Sequence, residues 1–400
     1  MNSAKLVVQK FGGSSLATPD KIRRVAELVT GEKRAGRDVV VVVSAMGDTT
    51  DDLFELARTI SPSPPKRELD MLLTAGERIS MALLSMAISR LGFQAISFTG
   101  SQSGIVTDTS HTSAKIMDVK AFRVRDELEK GRIVIVAGFQ GVSPAKEVTT
   151  LGRGGSDTTC VALAAAFDAQ ECDIFTDVDG VYTANPRLVP EARKIRKISY
   201  EEMLELSFCG AEVLHWRSVD VARRFGVRVH VRSSERKEMG TIVTGKDEIE
   251  TADICGITQD MGLVRLSFGG AGEAEGVAER ALAALDKAEV IVKLMSVPPG
   301  HGKSGHLSVM IPEGQKKQAL AVLASDAADL GVDVDDTLAT VSIVGHGLCS
   351  KPGIARKVLE SLRSAGVTPV SITTSGITLT ILMKRSEALE AVKKLHSDLI

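Results

Sequence analysis

Short runs of consecutive apolar and β-branched residues alternate with stretches of helical period through the first 245 residues of the chain. The runs LVV (6–8), VVVVV (39–43), AISFTG (95–100), IVIVAGF (133–139) and DIFTDV (173–178) lack polar alternation, which predicts parallel strands covered on both faces. Between the first two, Thr18-Pro19 supplies an N-cap and a first-turn proline, and Ile22, Val25 and Val29 recur at helical spacing. SPSPP (61–65) reads as a rigid loop, and TGKDEIETAD (244–253), acidic and without an apolar face, as a linker that sets a domain boundary near residue 250.

Beyond the linker the pattern repeats. Val264 and Leu266 on an alternating strand match Val341 and Ile343 at an offset of 77 positions, and Val277, Ala281 and Leu285 on a helical face match Ile354, Val358 and Leu362. Val290 matches Val367; after the PPGHGKSG insertion the offset is 70, pairing Leu307, Val309 and Ile311 with Ile377, Leu379 and Ile381. Each copy reads β-α-β-β-α. The first ends in a further strand, GVDVDD, whereas the second stops one strand short, so DICGIT (253–258) upstream is expected to fill the vacant edge and interleave the two units.

Composition narrows the class. A chain of 400 residues suggests two or three domains, and 44% hydrophobic with 4% aromatic residues and 36 glycines suits α/β architecture better than an all-β sandwich. With 49 basic against 51 acidic residues no global field draws the chain to nucleic acid or to a membrane surface. No signal-peptide pattern and no long apolar run appear, so a soluble cytoplasmic protein is expected. Five scattered cysteines are expected to be reduced, and His301 and His306 lack the further ligands of a zinc site, so no metal ligands are assigned. Gly302-Lys303-Ser304 imitates the end of a Walker A loop, but Val297 stands where its first glycine is required.

Four segments carry candidate chemistry. LVVQKFGGSSL (6–16) puts two glycines and two serines after a buried strand, where backbone N–H groups can converge on an anion, with Lys10 in reach of phosphate oxygens. TTLGRGGSDTTCVALAAA (149–166) adds a second glycine-rich turn, with Arg153, Ser156 and Asp157, ahead of an alanine-rich helix whose amino end favours a negative group. Two anion sites suggest two anionic substrates. In FTDVDGVYTANPR (175–187) a strand ends at an Asp-bearing loop able to contact a base or ribose. In LLTAGERIS (72–80), Glu77 sits among apolar positions, either exposed on the helix or buried to receive an ammonium.

Together VQKFGGSSL, SAMGDTT, LLTAGERIS, GFQG, TTLGRGGSDTT and TDVDGVYTANPR, in this order, resemble the aspartate kinases over nearly the whole chain, and the repeated units resemble ACT domains. The resemblance implies an amino-acid-kinase-like three-layer αβα sandwich with a mainly parallel sheet (1–245), a linker (246–253), and two ferredoxin-like βαββαβ ACT domains (263–338, and 254–259 with 339–400). It implies transfer of phosphate from ATP, with Mg²⁺, to the side-chain carboxylate of L-aspartate, the first step toward lysine, threonine and methionine. Carried over by position, Lys10, Phe11, Gly12, Gly13 and Ser14 would hold phosphate. Thr50, Glu77, Arg153, Gly154, Gly155 and Ser156 would hold aspartate, Glu77 at its ammonium. Asp157 would orient Lys10 or magnesium-bound water, and Thr176, Asp177, Tyr182, Asn185 and Arg187 would meet the nucleotide.

The sequence departs from the family pattern in places. Asn185 replaces an aspartate and Glu212 a lysine near the nucleotide. In the repeats FGGAGEAEG (268–276) lacks a proline, Val297-Pro298 replaces a polar pair, and Gly376 replaces a glutamate, while Lys351-Pro352-Gly353 is kept. Effector groups would be left unpaired there, so weakened or altered feedback by lysine and threonine is expected. A homodimer or higher oligomer through the ACT units is implied. The alternatives are another amino-acid kinase, which would not combine RGGSDTT with tandem ACT units, and a non-catalytic amino-acid sensor, which would not keep Lys10, Glu77, Arg153 and Asp157.

Overall fold

The computed structural model describes residues 5–169, 171–236, 238–245, 253–269, 274–296, 307–348 and 351–400. Most of the linker, the His301–His306 stretch, Val297-Pro298 and Cys349 lie outside the described residues. The chain packs as two units: the first comprises residues 1–182, 193–208 and 212–251, and the second residues 183–192, 209–211 and 252–400.

In the first unit the strands are β1 (Leu6–Phe11), β2 (Asp38–Val43), β3 (Ala95–Phe98), β4 (Ile105–Thr107), β5 (Ile116–Val119), β6 (Ile133–Ala137), β7 (Gln140–Val142), β8 (Val148–Thr150), β9 (Glu171–Thr176), β10 (Lys197–Ser199), β11 (Val229–Ser233) and β12 (Thr241–Thr244). Eight of them form one sheet in the order β10-β12-β11-β9-β1-β2-β6-β3, parallel except where β12 runs antiparallel to β11. The five apolar runs thus stand side by side. Three end earlier than the sequence suggests: β3 stops at Phe98, β9 stops at Thr176, where Asp177 begins the turn, and β6 stops at Ala137, with Phe139 at φ 66° before β7 begins. Strands β4, β5, β7 and β8 make a small second sheet.

Alternate residues of the central strands serve the two helical layers. Val7, Phe11, Val39, Val41 and Val43 meet Ile22, Val25 and Val29 of the helix Pro19–Arg34 and Leu84 and Ile88 of the helix Ala75–Arg90. The Thr18 side chain caps the first of these, accepting from Lys21 N at 3.3 Å. On the other face Val161 of the helix Gly155–Phe167, Ile174, Val219, Ala222 and Val243 close together. Lys66–Arg90 is long and apolar enough by composition to cross a membrane, but it is broken at Thr74 and buries Asp70, Glu77, Leu84 and Ile88. The four cysteines described are free thiols, and Cys160 and Cys172 bring their sulfurs within 3.7 Å.

The second unit holds two four-stranded sheets of one plan. β14 (Leu263–Gly269), β15 (Leu294–Ser296), β16 (Leu307–Pro312) and β17 (Gly331–Asp335) follow β13 (Gly256–Asp260), and are followed by β18 (Leu338–Val344), β19 (Ser371–Thr374) and β20 (Thr378–Lys384). The orders are β15-β16-β14-β17 and β13-β18-β20-β19. β13 therefore fills the edge beside β18, antiparallel with Ile257 opposite Ile343, where β17 stands in the first copy. The repeated residues define the cores: Val264, Leu266, Val277, Ala281, Leu285 and Val309 in one, Val341, Ile343, Val358, Leu362, Leu379 and Ile381 in the other. The second core also takes in Ala184 and Val189, so the segment 183–192 packs as part of this unit although the chain places it in the middle of the first.

Candidate active site

Open parallel sheets bind ligands beyond the carboxyl ends of their strands, where successive connections leave in opposite directions. Here β1 lies between β9 and β2, so that point falls at the end of β1, where the Gly12-Gly13 turn stands. Gly12 N donates to Phe175 O at 3.3 Å and Ser44 N to Phe11 O at 3.1 Å, which ties the ends of β9, β1 and β2 together. A Cβ on Gly13 would come within 2.9 Å of Gly47 O, so only glycine lets the two turns touch. The Phe11 ring is fully buried and stacks on Phe175 at 4.5 Å, so this position faces the turn through its backbone alone. Ser14 is exposed, and its carbonyl accepts from Lys21 Nζ at 2.9 Å.

The second glycine turn meets the end of β1 at Lys10. Lys10, Thr50, Glu77, Arg153, Gly154, Gly155, Ser156 and Asp157 line one cleft of about 240 Å³. Lys10 Nζ lies 2.7 Å from Asp157 Oδ1, across 147 positions of sequence. Asp157 occupies the first turn of the helix Gly155–Phe167, where the free N–H groups of the helix end favour a negative group. Arg153 stands exposed, with no ion-pair partner among the described residues, so its guanidinium is open to a carboxylate.

Glu77 is buried, 2% exposed, in the first turn of Ala75–Arg90. Its Oε1 accepts from Ala45 N at 3.2 Å, whereas Oε2 has no partner. Burial pushes its pKa up to about 7, against the smaller opposing effect of the backbone donors. An uncompensated carboxylate is costly inside a protein, and a cation entering the cleft would compensate it.

Of the nucleotide candidates, Thr176 and Asp177 stand at the end of β9 beside the Gly12 turn, with Thr176 Oγ1 donating to Asp177 Oδ1 at 3.0 Å. Tyr182 is held by its hydroxyl, which donates to Asp179 Oδ1 at 2.9 Å, and Asp179 is in turn paired with Lys194 at 2.6 Å. Desolvation raises the Asp179 carboxyl, but the Lys194 and Tyr182 hydrogen bonds outweigh it and hold its pKa below the usual range. Asn185 and Arg187 belong to the segment that packs with the second unit, where Arg187 N donates to Asn185 Oδ1 at 3.0 Å. Ser44, Phe139 and Gly152 complete the cleft lining without having been singled out from sequence. They fall inside the SAMGDTT, GFQG and TTLGRGGSDTT segments respectively, which is the only signal that marks them.

The family model for the amino acid kinase family matches residues 5–233, which sets the class of the first unit, and an ACT domain model matches residues 341–399. The chain is 49% identical to an aspartokinase of Mycolicibacterium smegmatis and 46% identical to one of Corynebacterium glutamicum, covering 98% of this chain in both and 95% and 96% of those proteins. E. coli aspartokinase III in complex with aspartate and ADP superposes with a TM-score of 0.84 at 25% identity, covering 98% of this chain and 99% of that one. The same enzyme with lysine and aspartate gives 0.77 at 25% identity, over 99% and 100% of the two chains. This chain belongs to the aspartokinase family.

Proposed function

We infer that the chain transfers the terminal phosphoryl group of ATP to the side-chain carboxylate of L-aspartate, giving 4-phospho-L-aspartate and ADP. The observation that carries the reading is the cleft in which Lys10 and Asp157 stand together with Arg153 and a buried Glu77 that has one unpartnered oxygen. A zwitterionic amino acid fits it: Glu77 receives the ammonium, Arg153 and Ser156 a carboxylate, and Thr50 lines the same wall. The side-chain carboxylate, with a reference pKa near ~4, is ionised at neutral pH and needs no base to attack phosphorus. What the protein must supply is alignment of two anions and screening of their repulsion, through a loose transition state. Lys10 and the N–H groups of the Gly12-Gly13 turn supply the screening at the phosphate, and Asp157 fixes the Lys10 ammonium in place. Thr176, Asp177 and Tyr182 serve the nucleotide from the neighbouring strand end.

The donor set suits Mg²⁺ carried in on the nucleotide phosphates with its own waters. Asp157 is the carboxylate at the Lys10 end of the cleft, and no three His, Cys, Asp or Glu side chains among the described residues form a protein cage. Bound there, Mg²⁺ would add charge neutralisation at the phosphates.

The ACT units regulate this activity in the cytoplasm as part of a homo-oligomer. With Gly376 and Val297-Pro298 in place of polar residues, feedback is weaker than concerted inhibition by lysine and threonine: activity with both amino acids at millimolar level stays near the uninhibited rate, and strong joint inhibition would contradict this. Coupled ADP release with aspartate, glutamate and N-acetylglutamate tests the catalytic reading. Turnover is expected with aspartate, and preference for either other acid would overturn it.

A further inference from the structure

The two walls of the amino-acid end of the cleft come from distant parts of the first unit, and their spacing is set outside the cleft. Seven residues before Glu77, Asp70 of the helix Lys66–Leu73 is completely buried. Its carboxylate collects donors from the opposite wall and its flank. Thr150 Oγ1 donates to Oδ1 at 2.5 Å, Thr112 N to Oδ1 at 3.1 Å and Oδ2 at 3.2 Å, and His111 Nδ1 lies 2.7 Å from Oδ2. Thr150 ends β8 and is three residues short of Arg153.

The next residue is gripped from the other side. Arg217, in the first turn of the helix Trp216–Phe225, donates through its guanidinium to Leu151 O and, at 2.8 Å, to Ala114 O. Arg217 makes no ion pair among the described residues, and its guanidinium is spent on two backbone carbonyls. Ala114 N donates in turn to Thr150 O at 2.9 Å. Two residues before Arg217, His215 presses on the turn itself: a Cβ on Gly154, whose φ is +70°, would lie 2.1 Å from the His215 Cβ.

We propose that Asp70 and Arg217 are positioning residues for the amino-acid substrate: by fixing Thr150 and Leu151 they set the distance from Arg153 to Glu77, so that one small zwitterion meets both charges at once. The proposal rests on the aspartate reading above. A site that must hold both ends of a short molecule tolerates little displacement, and a shift of about 1 Å can cost on the order of a hundredfold in rate. The phosphate end is tied additionally by hydrogen bonds among the β1, β2 and β9 strand ends and by the Lys10–Asp157 pair, none of which involves Asp70, so loosening the Asp70 contacts disturbs it less.

The test is a split of kinetic constants. In Asp70→Ala, KM for aspartate rises about tenfold or more while KM for ATP stays within about twofold. Asp70→Asn, which keeps acceptor oxygen for Thr150 and Thr112, recovers most of the loss, and Arg217→Lys, able to reach one carbonyl and not two, falls between Arg217→Ala and wild type. If Asp70→Ala does not fold, Thr150→Val, which removes one donor at constant shape, gives the same split. Parallel rises in both constants, or an unchanged aspartate KM in folded Asp70→Ala or in Thr150→Val, would overturn the assignment. A wild-type enzyme without aspartate-dependent turnover would be a separate result, overturning the substrate reading and this assignment together.

Discussion

Buried acids distinguish the two units. Asp70, Glu77, Asp157, Asp173, Asp179 and Glu202 are all buried, and all belong to the first unit, while the buried polar side chains described in the second are hydroxyls and His396. In the second unit these pair mostly with uncharged groups or at the surface: Ser342 Oγ lies 3.0 Å from Thr380 Oγ1, Ser361 Oγ donates to Asp398 at 2.7 Å, and His396 Nε2 lies 2.9 Å from Thr183 Oγ1. Burying a carboxylate is unfavourable unless cations or donors converge on it, and for Asp70 and Asp157 they come from between 41 and 147 positions away along the chain. The kinase unit spends part of its stability on holding charge in place, whereas the regulatory unit is an apolar repeat packed for shape.

Three substitutions sharpen the contrast. The largest effect is expected at Lys10. Lys10→Ala removes the cation facing the phosphate and lowers kcat on the order of a thousandfold, a loss larger than its accompanying fall in melting temperature, which follows from leaving Asp157 without its ion-pair partner. Near-normal turnover would break the comparison at its strongest point. In the second unit the opposite signature is expected. Ile381→Ala in the β18–β20 core costs on the order of 2–5 kcal/mol in unfolding free energy, read by denaturant titration, while kcat per folded molecule is retained.

Glu77→Gln combines the two behaviours. Losing the charge partner of the ammonium weakens aspartate binding by roughly 10- to 100-fold, equivalent to about 1.5–3 kcal/mol, with little change for ATP. Stability moves the other way. Because the folded-state pKa, about 7, lies above the ordinary glutamate value of 4.5, burial carries no penalty below about pH 4.5 and its full penalty above about pH 7. The ligand-free Gln variant is therefore more stable than wild type at pH 8, by on the order of 3 kcal/mol at most, and nearly equal to it at pH 4.5. In the wild type, aspartate affinity falls as pH drops through 7, because a protonated Glu77 no longer attracts an ammonium. Calorimetric melts at the two pH values and KM against pH check both signs.

Much of this arrangement is legible in sequence, where the physics is local or periodic. Unbroken β-branched runs, the Thr18-Pro19 cap and the 77-residue repeat each state their structure, and the missing strand of the second repeat points to an upstream donor, which β13 supplies. The glycine turns mark Lys10 and Arg153 together where neither segment would alone, and the structure places both side chains on one cleft. Long-range pairings leave no such mark. Nothing in LDMLL distinguishes Asp70 from a surface residue, since its partners lie 41 and 80 positions away. Glu77 reads equally as exposed or buried until its neighbours are in place. Ala184 and Val189 sit in a proline-punctuated stretch too short for periodicity, and only packing shows that they join the core of the second unit.

The central claim is that the turns at Gly12 and Gly154 oppose each other so that a phosphoryl group meets an amino acid's distal acid. Running the reaction with ATP and aspartate in the presence of hydroxylamine, and identifying the trapped product by mass, tests it most directly. The account predicts aspartate β-hydroxamate in amounts equal to ADP released, and none from Lys10→Ala. ADP release without hydroxamate, or hydroxamate formed equally well by the Lys10 variant, would contradict it.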